Sequence, residues 1–311
     1  MIRHLLQRVG DACLTLIVIS FVIHVALDAA PGDAADALAG DTADQAQMTA
    51  LRRELNLDAP LLTRYADYVV GILTRGDWGR SMAKNRPVGE LLKERLPKSA
   101  LLAASSMGVA VLAGGTLGVL TARRHDDWFD TLFIGATSVS MACPTYWLAL
   151  LLFWLFALHL NWLPVLAGDG IEHLLLPVVT LSVPLTASMA RFVRAQILRE
   201  LHEGYVDTAR AKGANERRVL VHHVLRNALG PILTLTGLHL GHLLGGAFII
   251  ETLYAWPGLG GLMVQAIFDR DHPVVMGTSL LIGAGYIVIN LGVDLIHSEL
   301  DPRTRIPREG R

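Results

Sequence analysis

Lysine is almost missing from this chain. Of 311 residues only Lys84, Lys93, Lys98 and Lys212 are lysine, and none follows a glycine. The Gly-x-x-x-x-Gly-Lys-Ser/Thr phosphate loop is therefore absent, which excludes a conventional ATP site on this chain. Charge of either sign is scarce, at 18% of residues, where soluble domains carry about a quarter. The net charge is −1, so no global field favours nucleic acid or a strongly acidic partner. Cysteine is reduced to Cys13 and Cys143, both within apolar runs. Their spacing fits neither a metal site nor a redox pair, and both read as small buried hydrophobes.

What the chain has is apolar surface, gathered in runs. Hydrophobic residues make up 52% and the mean hydropathy is +0.43. A membrane crossing needs about 20 apolar residues, and six stretches qualify: 11–27, 99–122, one within 131–160, 174–190, 227–250 and 274–293. The first has the basic start of a secretory signal, but five further spans make an uncleaved first helix the simpler reading. The expected fold is an all-α membrane protein of six transmembrane helices.

Basic residues orient these spans. Arg3 and Arg8 precede span 1, and Arg123 and Arg124 follow span 2. Arg191, Arg194, Arg199, Arg210, Lys212, Arg217, Arg218 and Arg226 lie between spans 4 and 5. Arg303, Arg305, Arg308 and Arg311 close the chain. The loop after span 3 has no Lys or Arg, and the loop after span 5 has only Arg270. The alternation predicts cytoplasmic termini. It divides the chain into span 1 (1–27), an extracytoplasmic subdomain (28–98), a core of spans 2–6 (99–298) with a cytoplasmic segment at 200–226, and a cytoplasmic tail (299–311). Within 28–98, "QMTALRRELNL" (47–57) and "VGELLKERLPKSA" (88–100) read as helices. Pro144, Pro177 and Pro184, with Gly241, Gly245 and Gly246, suit kinked spans and close backbone approach.

The cytoplasmic segment is patterned beyond what solubility needs. Read as a helix, Tyr205, Val206 and Ala209 share a face that suits another protein's groove. Gly213 is a natural terminator with Lys212 at the negative end of the dipole. Asn215 is positioned to cap a second helix with Glu216 in its first turn. Val221, Val224, Leu225 and Ala228 continue it at i, i+3, i+4, i+7 into span 5.

At Asp207-Thr208-Ala209, three residues and Gly213, this segment resembles the EAA motif of inner-membrane permeases of ATP-binding-cassette importers. In the following Ile-x-Leu-Pro position, Leu225 fits while His223 and Arg226 depart. The chain is similar in particular to the dipeptide, oligopeptide and nickel branch. That resemblance rests on "APGD" (30–33), "GDWGRS" (76–81), "WPGLG" (256–260), "RDHPVVMG" (270–277) and "DPRTR" (301–305), in order along the whole chain. It implies a type I importer permease fold in a bacterial inner membrane. It also implies a coupling helix docked on an ATPase, assigned here to Tyr205, Asp207, Thr208, Ala209, Arg210, Lys212 and Gly213. The implied partners are two ATPase subunits that hold ATP and Mg, a second homologous permease and an extracytoplasmic binding protein. This chain would bind no cofactor, catalyse no reaction and contact no nucleic acid, only the lipid bilayer and these proteins.

Span 5 reads "TLTGLHLGHLLGGAFIIET". His239 and His242 are one helical turn apart and Glu251 ends the run. Histidine within a span is a candidate for function, and imidazole suits nickel, zinc and copper. His239, His242 and Glu251 are the expected lining of the translocation path, the two histidines as metal contacts and His24 as a lesser one. Together with the nickel-type look of this span, that favours nickel or a metal chelate as substrate, with a short peptide next. The rival classes are an ion-coupled carrier and a receptor or scaffold. A carrier calls for ionisable residues in mid-membrane, and spans 2, 3, 4 and 6 offer little beyond Asp294.

Overall fold

The computed structural model describes residues 2–30, 49, 52, 58–125, 127–164, 168 and 170–300. Among these, helices and turns make up the chain, with a single isolated bridge between Arg80 and Pro87 and no strand. The helices are α1 (Ile2–Ala29), α2 (Leu61–Arg75), α3 (Val88–Arg123), α4 (Trp128–Ala142), α5 (Thr145–Leu152, continued as a π-helix over Phe153–His159) and α6 (Glu172–Leu201). They continue with α7 (Gly204–Ala211), α8 (Glu216–Arg218, a π-helix over Val219–Val224, then Leu225–Gly246), α9 (Phe248–Leu253), α10 (Leu259–Phe268) and α11 (His272–Leu300). The "APGD" motif after Ala30, the "DPRTR" motif, the tail beyond Leu300 and nearly all of the 47–57 stretch lie outside the described residues.

Among the described residues five helices, α1, α3, α6, α8 and α11, are long and apolar enough to cross a membrane. The third expected span is not one rod. α4 and α5 meet at 96°, and Cys143 between them is extended (φ −75°, ψ 122°). The cause is Pro144: its ring disfavours helical backbone at the residue before it, and it has no N–H to give. Pro97, Pro177, Pro184 and Pro231 sit inside continuous helices. Many large apolar side chains, such as Leu14, Val18, Val22 and Leu112, are uncovered by the chain itself, as lipid-facing surface requires. Cys13 is exposed on α1, contrary to its expected burial, because it lies on the uncovered side of that helix with Leu14 and Ile17.

The chain forms two compact units, Met1–Ala100 with Ala255–Ile287, and Leu101–Tyr254 with Val288–Arg311. The first unit therefore groups the described part of segment 28–98 with α1, α10 and the start of α11. Its core joins Val88, Leu91 and Leu92 to Leu259, Leu262, Val274 and Val275, with Trp78 against it. In the second unit α3 lies close on α6 because it carries Gly114 and Gly118. A Cβ at Gly118 would stand 2.6 Å from the Ala190 carbonyl oxygen and 2.7 Å from Val193 Cβ. This is the small-xxx-small device by which membrane helices approach.

Candidate functional site

The segment between α6 and α8 is a helix, a corner and a second helix. Gly213 supplies the corner at φ +82°, where a side chain would be strained. Its N–H donates to the Arg210 carbonyl at 2.9 Å, and the Ala214 N–H reaches back to Ala209 at 3.1 Å. Those two bonds are a Schellman closure of α7. Two residues on, Asn215 Oδ1 accepts the Arg218 N–H at 2.8 Å and starts α8, as its type and position predict.

The apolar face of α7 points inward, against expectation. Val206 is fully buried and Ala209 nearly so. Both belong to a core with Ala122, Met189, Val193, Ile197, Val219 and Val224, and Tyr205 packs on it. Apolar groups within reach of their own chain leave water there first. What α7 presents outward is Asp207, Thr208 and Arg210, followed by Lys212 and Gly213 at the corner. A second difference lies in α8, where Val221 is exposed while Val219, Leu220 and Val224 are buried. The π-helix over Val219–Val224 closes turns at i, i+5. It therefore stacks Val219 under Val224 and turns Val221 away.

Arg210 braces the corner. Its Nε and Nη2 donate to the two Glu216 oxygens at 2.9 and 3.2 Å, and Asp207 stands 3.6 Å from Nη1. The hydrogen bond from Arg210 holds the Glu216 carboxyl below the usual carboxylate range. Tyr205 fastens the other side: its hydroxyl donates to Glu200, at the end of α6, at 2.6 Å and also meets Asn227 of α8. Burial first, and then the Glu200 bond, push its phenol up to about 12, so it stays a neutral donor. Asp207, Arg210 and Glu216 line a polar cleft of about 620 Å³ with Arg123 and His202.

A second cavity, of about 460 Å³, opens among α4, α5, α6, α8 and α9. Its polar lining is Thr145, Tyr146, Ser188, His239 and His242, set among Met141, Leu181, Leu185, Leu243 and Ile250. The structure thus brings both histidines of span 5 to one wall. Ser188 Oγ lies 3.2 Å from His239 Nε2, a partner in α6 that span 5 alone does not reveal. Glu251 is buried, 2% exposed, and is not part of this lining. Among the described residues no three His, Cys, Asp or Glu side chains gather as a cation site.

In the first unit the "GDWGRS" and "RDHPVVMG" motifs meet. The Asp271 carboxylate, 2% exposed, accepts the Ser81 hydroxyl and the N–H groups of Met82 and Ala83, the latter two at 3.2 Å. "WPGLG" is fixed to α3: Trp256 Nε1 donates to the Lys98 carbonyl at 3.1 Å, and the Leu259 N–H to Ser99 Oγ at 2.7 Å. The sequence marked these motifs, but not their pairing.

Comparison with known proteins agrees with this architecture. Residues 114–306 match the binding-protein-dependent transport system inner membrane components, and residues 1–103 match the N-terminal family of the same membrane components. The glutathione transport system permease protein GsiC of Salmonella typhimurium is 36% identical over 305 residues, 98% of this chain and 99% of that protein. The GsiC of Escherichia coli gives the same figures. Neither is named for nickel, so the expected preference for that metal finds no support among them. Two inward-facing structures of the MetNI methionine ABC transporter share the fold at TM-scores of 0.55 and 0.57, with 18% and 19% identity. Each covers 68% of this chain and 96% of theirs. An amino acid ABC transporter solved with histidines follows at 0.52, with 18% identity, covering 69% of this chain and 94% of its own. The chain belongs to the family of binding-protein-dependent inner-membrane components and is a multi-pass permease subunit of an ABC importer.

Proposed function

We propose that residues 204–218 are the coupling element through which a separate ATPase drives this permease. The family implies ATPase and substrate-binding partners. The observation that carries the reading is the division of labour in α7: Val206 and Ala209 anchor it inside the chain, while Asp207, Thr208, Arg210 and Lys212 stay uncovered beside a fixed corner at Gly213. An anchored helix with a free polar face transmits force, whereas a loop held only by water does not. The basic residues around it support a cytoplasmic location for this segment and both termini.

This chain itself binds no ATP, Mg or other cofactor and hydrolyses nothing; those steps belong to two partner ATPase subunits. A second homologous permease completes the pathway, and an extracytoplasmic binding protein delivers the substrate. Closure of the ATPases moves the coupling elements and tilts the spans, giving alternating access. The cavity with Tyr146, Ser188, His239 and His242 is this chain's part of the path. Its mixed apolar and hydrogen-bonding wall suits a short peptide, and the relatives make glutathione the first to test.

The test is Gly213→Trp in the complete importer. Substrate binding to the separate binding protein stays normal while uptake is abolished and co-purification of the ATPase falls. Native uptake with this substitution would overturn the coupling reading. Uptake of labelled glutathione, labelled dipeptide and labelled nickel by the native complex decides the substrate, and unchanged uptake in an assembled His239→Ala variant would remove His239 from the path.

A further inference from the structure

α4 and α6 are tied together by side chains rather than by packing alone. Asp130, in the first turn of α4, accepts a two-point contact from Arg194 of α6. Nε donates to Oδ1 at 2.7 Å and Nη2 to Oδ2. Asp130 is only 4% exposed. Farther along the pair, Arg191 Nη1 donates to Ser138 Oγ at 3.3 Å, and Ser140 Oγ donates to the Val183 carbonyl at 3.3 Å. The result is a polar ladder joining the two helices from one end of α4 to the other.

The ends of this ladder matter. Three residues beyond Leu201, the end of α6, stands Gly204, where α7 begins. α4 ends at Ala142, where the 96° break at Cys143–Pro144 follows. Met141, Thr145 and Tyr146 flank that break and form one wall of the 460 Å³ cavity, while Leu181, Leu185 and Ser188 of α6 form another. A two-point arginine–carboxylate contact fixes angle as well as distance. When buried, such a contact exchanges poorly with water, and breaking it by removing one partner is costly.

We infer that Asp130 and Arg194 are positioning residues of the transport cycle: they make α4 travel with α6, so that movement entering at the coupling segment reaches the break at Cys143–Pro144 and the cavity wall beside it. The inference rests on the coupling role proposed for residues 204–218. Neither residue touches the cavity; they act through the helices they join.

Cys143 is a natural reporter of the break. With Cys13→Ser it becomes the one cysteine of the chain, and its labelling rate by a water-soluble maleimide can be followed in the assembled importer, with and without ATP and vanadate. ATP hydrolysis is measured alongside. For the native pair, trapping changes the rate by about fivefold, the lower end of ordinary allosteric coupling. In Asp130→Asn and in Arg194→Lys, which keeps the charge but loses the two-point contact, that change disappears while hydrolysis continues. An undiminished change in either assembled variant overturns the inference, as does a native complex in which trapping leaves Cys143 unaffected. Should Asp130→Asn fail to assemble, Arg194→Lys decides. Gly213→Trp separates the two readings. If it abolishes the Cys143 response while the pair variants keep it, only the ladder fails; if it leaves the response intact, the coupling role itself fails.

Discussion

The segment at 204–218, proposed above as the coupling element, and the hairpin at 76–87 both connect longer helices, and they are secured in opposite ways. The first buries apolar residues, Val206 and Ala209, and leaves its charged groups outside. The hairpin turns its polar groups inward: Ser81 Oγ and two backbone N–H groups converge on the buried carboxylate of Asp271. Apolar anchoring leaves the outer face of α7 free to meet a partner. Polar anchoring consumes the groups it uses, but fixes direction as well as position, because hydrogen bonds are directional. The first arrangement suits a handle and the second suits a clasp.

That contrast can be broken in three places. The largest effect is expected at Asp271. Asp271→Ala leaves the Ser81 hydroxyl and two N–H groups without their acceptor, which costs about 3 kcal/mol. It is read as a lowered melting temperature in detergent, and a native value would mean the clasp is not polar in the sense described. Next comes Val206→Ala. Removing two buried methyl groups loosens the handle by about 2 kcal/mol, and ATPase co-purification falls with stability rather than independently of it. If affinity falls while the melting temperature stays native, Val206 meets the partner directly and the inward face assigned here is wrong. The smallest effect on stability belongs to Arg210→Ala. The Arg210–Glu216 pair is solvent-facing, where such bridges contribute little, so the melting temperature should not move at any salt concentration. Uptake at saturating ATP should still fall, because the corner loses its brace. A large drop in melting temperature would show that the handle depends on charge after all.

Much of the fold was legible because membrane crossing is a matter of length and hydropathy. The six apolar runs correspond to five long helices and one broken pair. The corner was legible too, since Gly213 and Asn215 act through their own backbone and immediate neighbours. The inward turn of Tyr205, Val206 and Ala209 was not. A face that is apolar at helical spacing looks the same whether its cover is the chain itself or another protein. Val221 was grouped on one helical stripe with Val224, Leu225 and Ala228 and left that stripe for a related reason: an i, i+5 turn leaves no mark in composition, yet it shifts every side chain before it around the axis. His239 and His242 were visible as rare polar residues in a span, while Ser188, about fifty residues earlier, carried no signal until α6 was laid against α8. Asp130 stands just before the apolar run at 131–160, and nothing in its neighbourhood singles it out. Its pairing with Arg194 depends on a side-chain reach between two helices.

By itself the sequence determined that this chain lives in a membrane, that it carries no Gly-x-x-x-x-Gly-Lys-Ser/Thr loop, and where its backbone must turn. These follow from local chemistry: transfer of apolar side chains out of water, an absent lysine loop, the φ freedom of Gly213 and the missing N–H of Pro144. Tertiary structure alone decided which faces are spent inside the chain and which are left for partners. It also decided that α4 and α6 are pinned by Asp130 and Arg194, and that Asp271 closes on Ser81. Those outcomes depend on distances between residues far apart in the chain, and only the folded packing sets them.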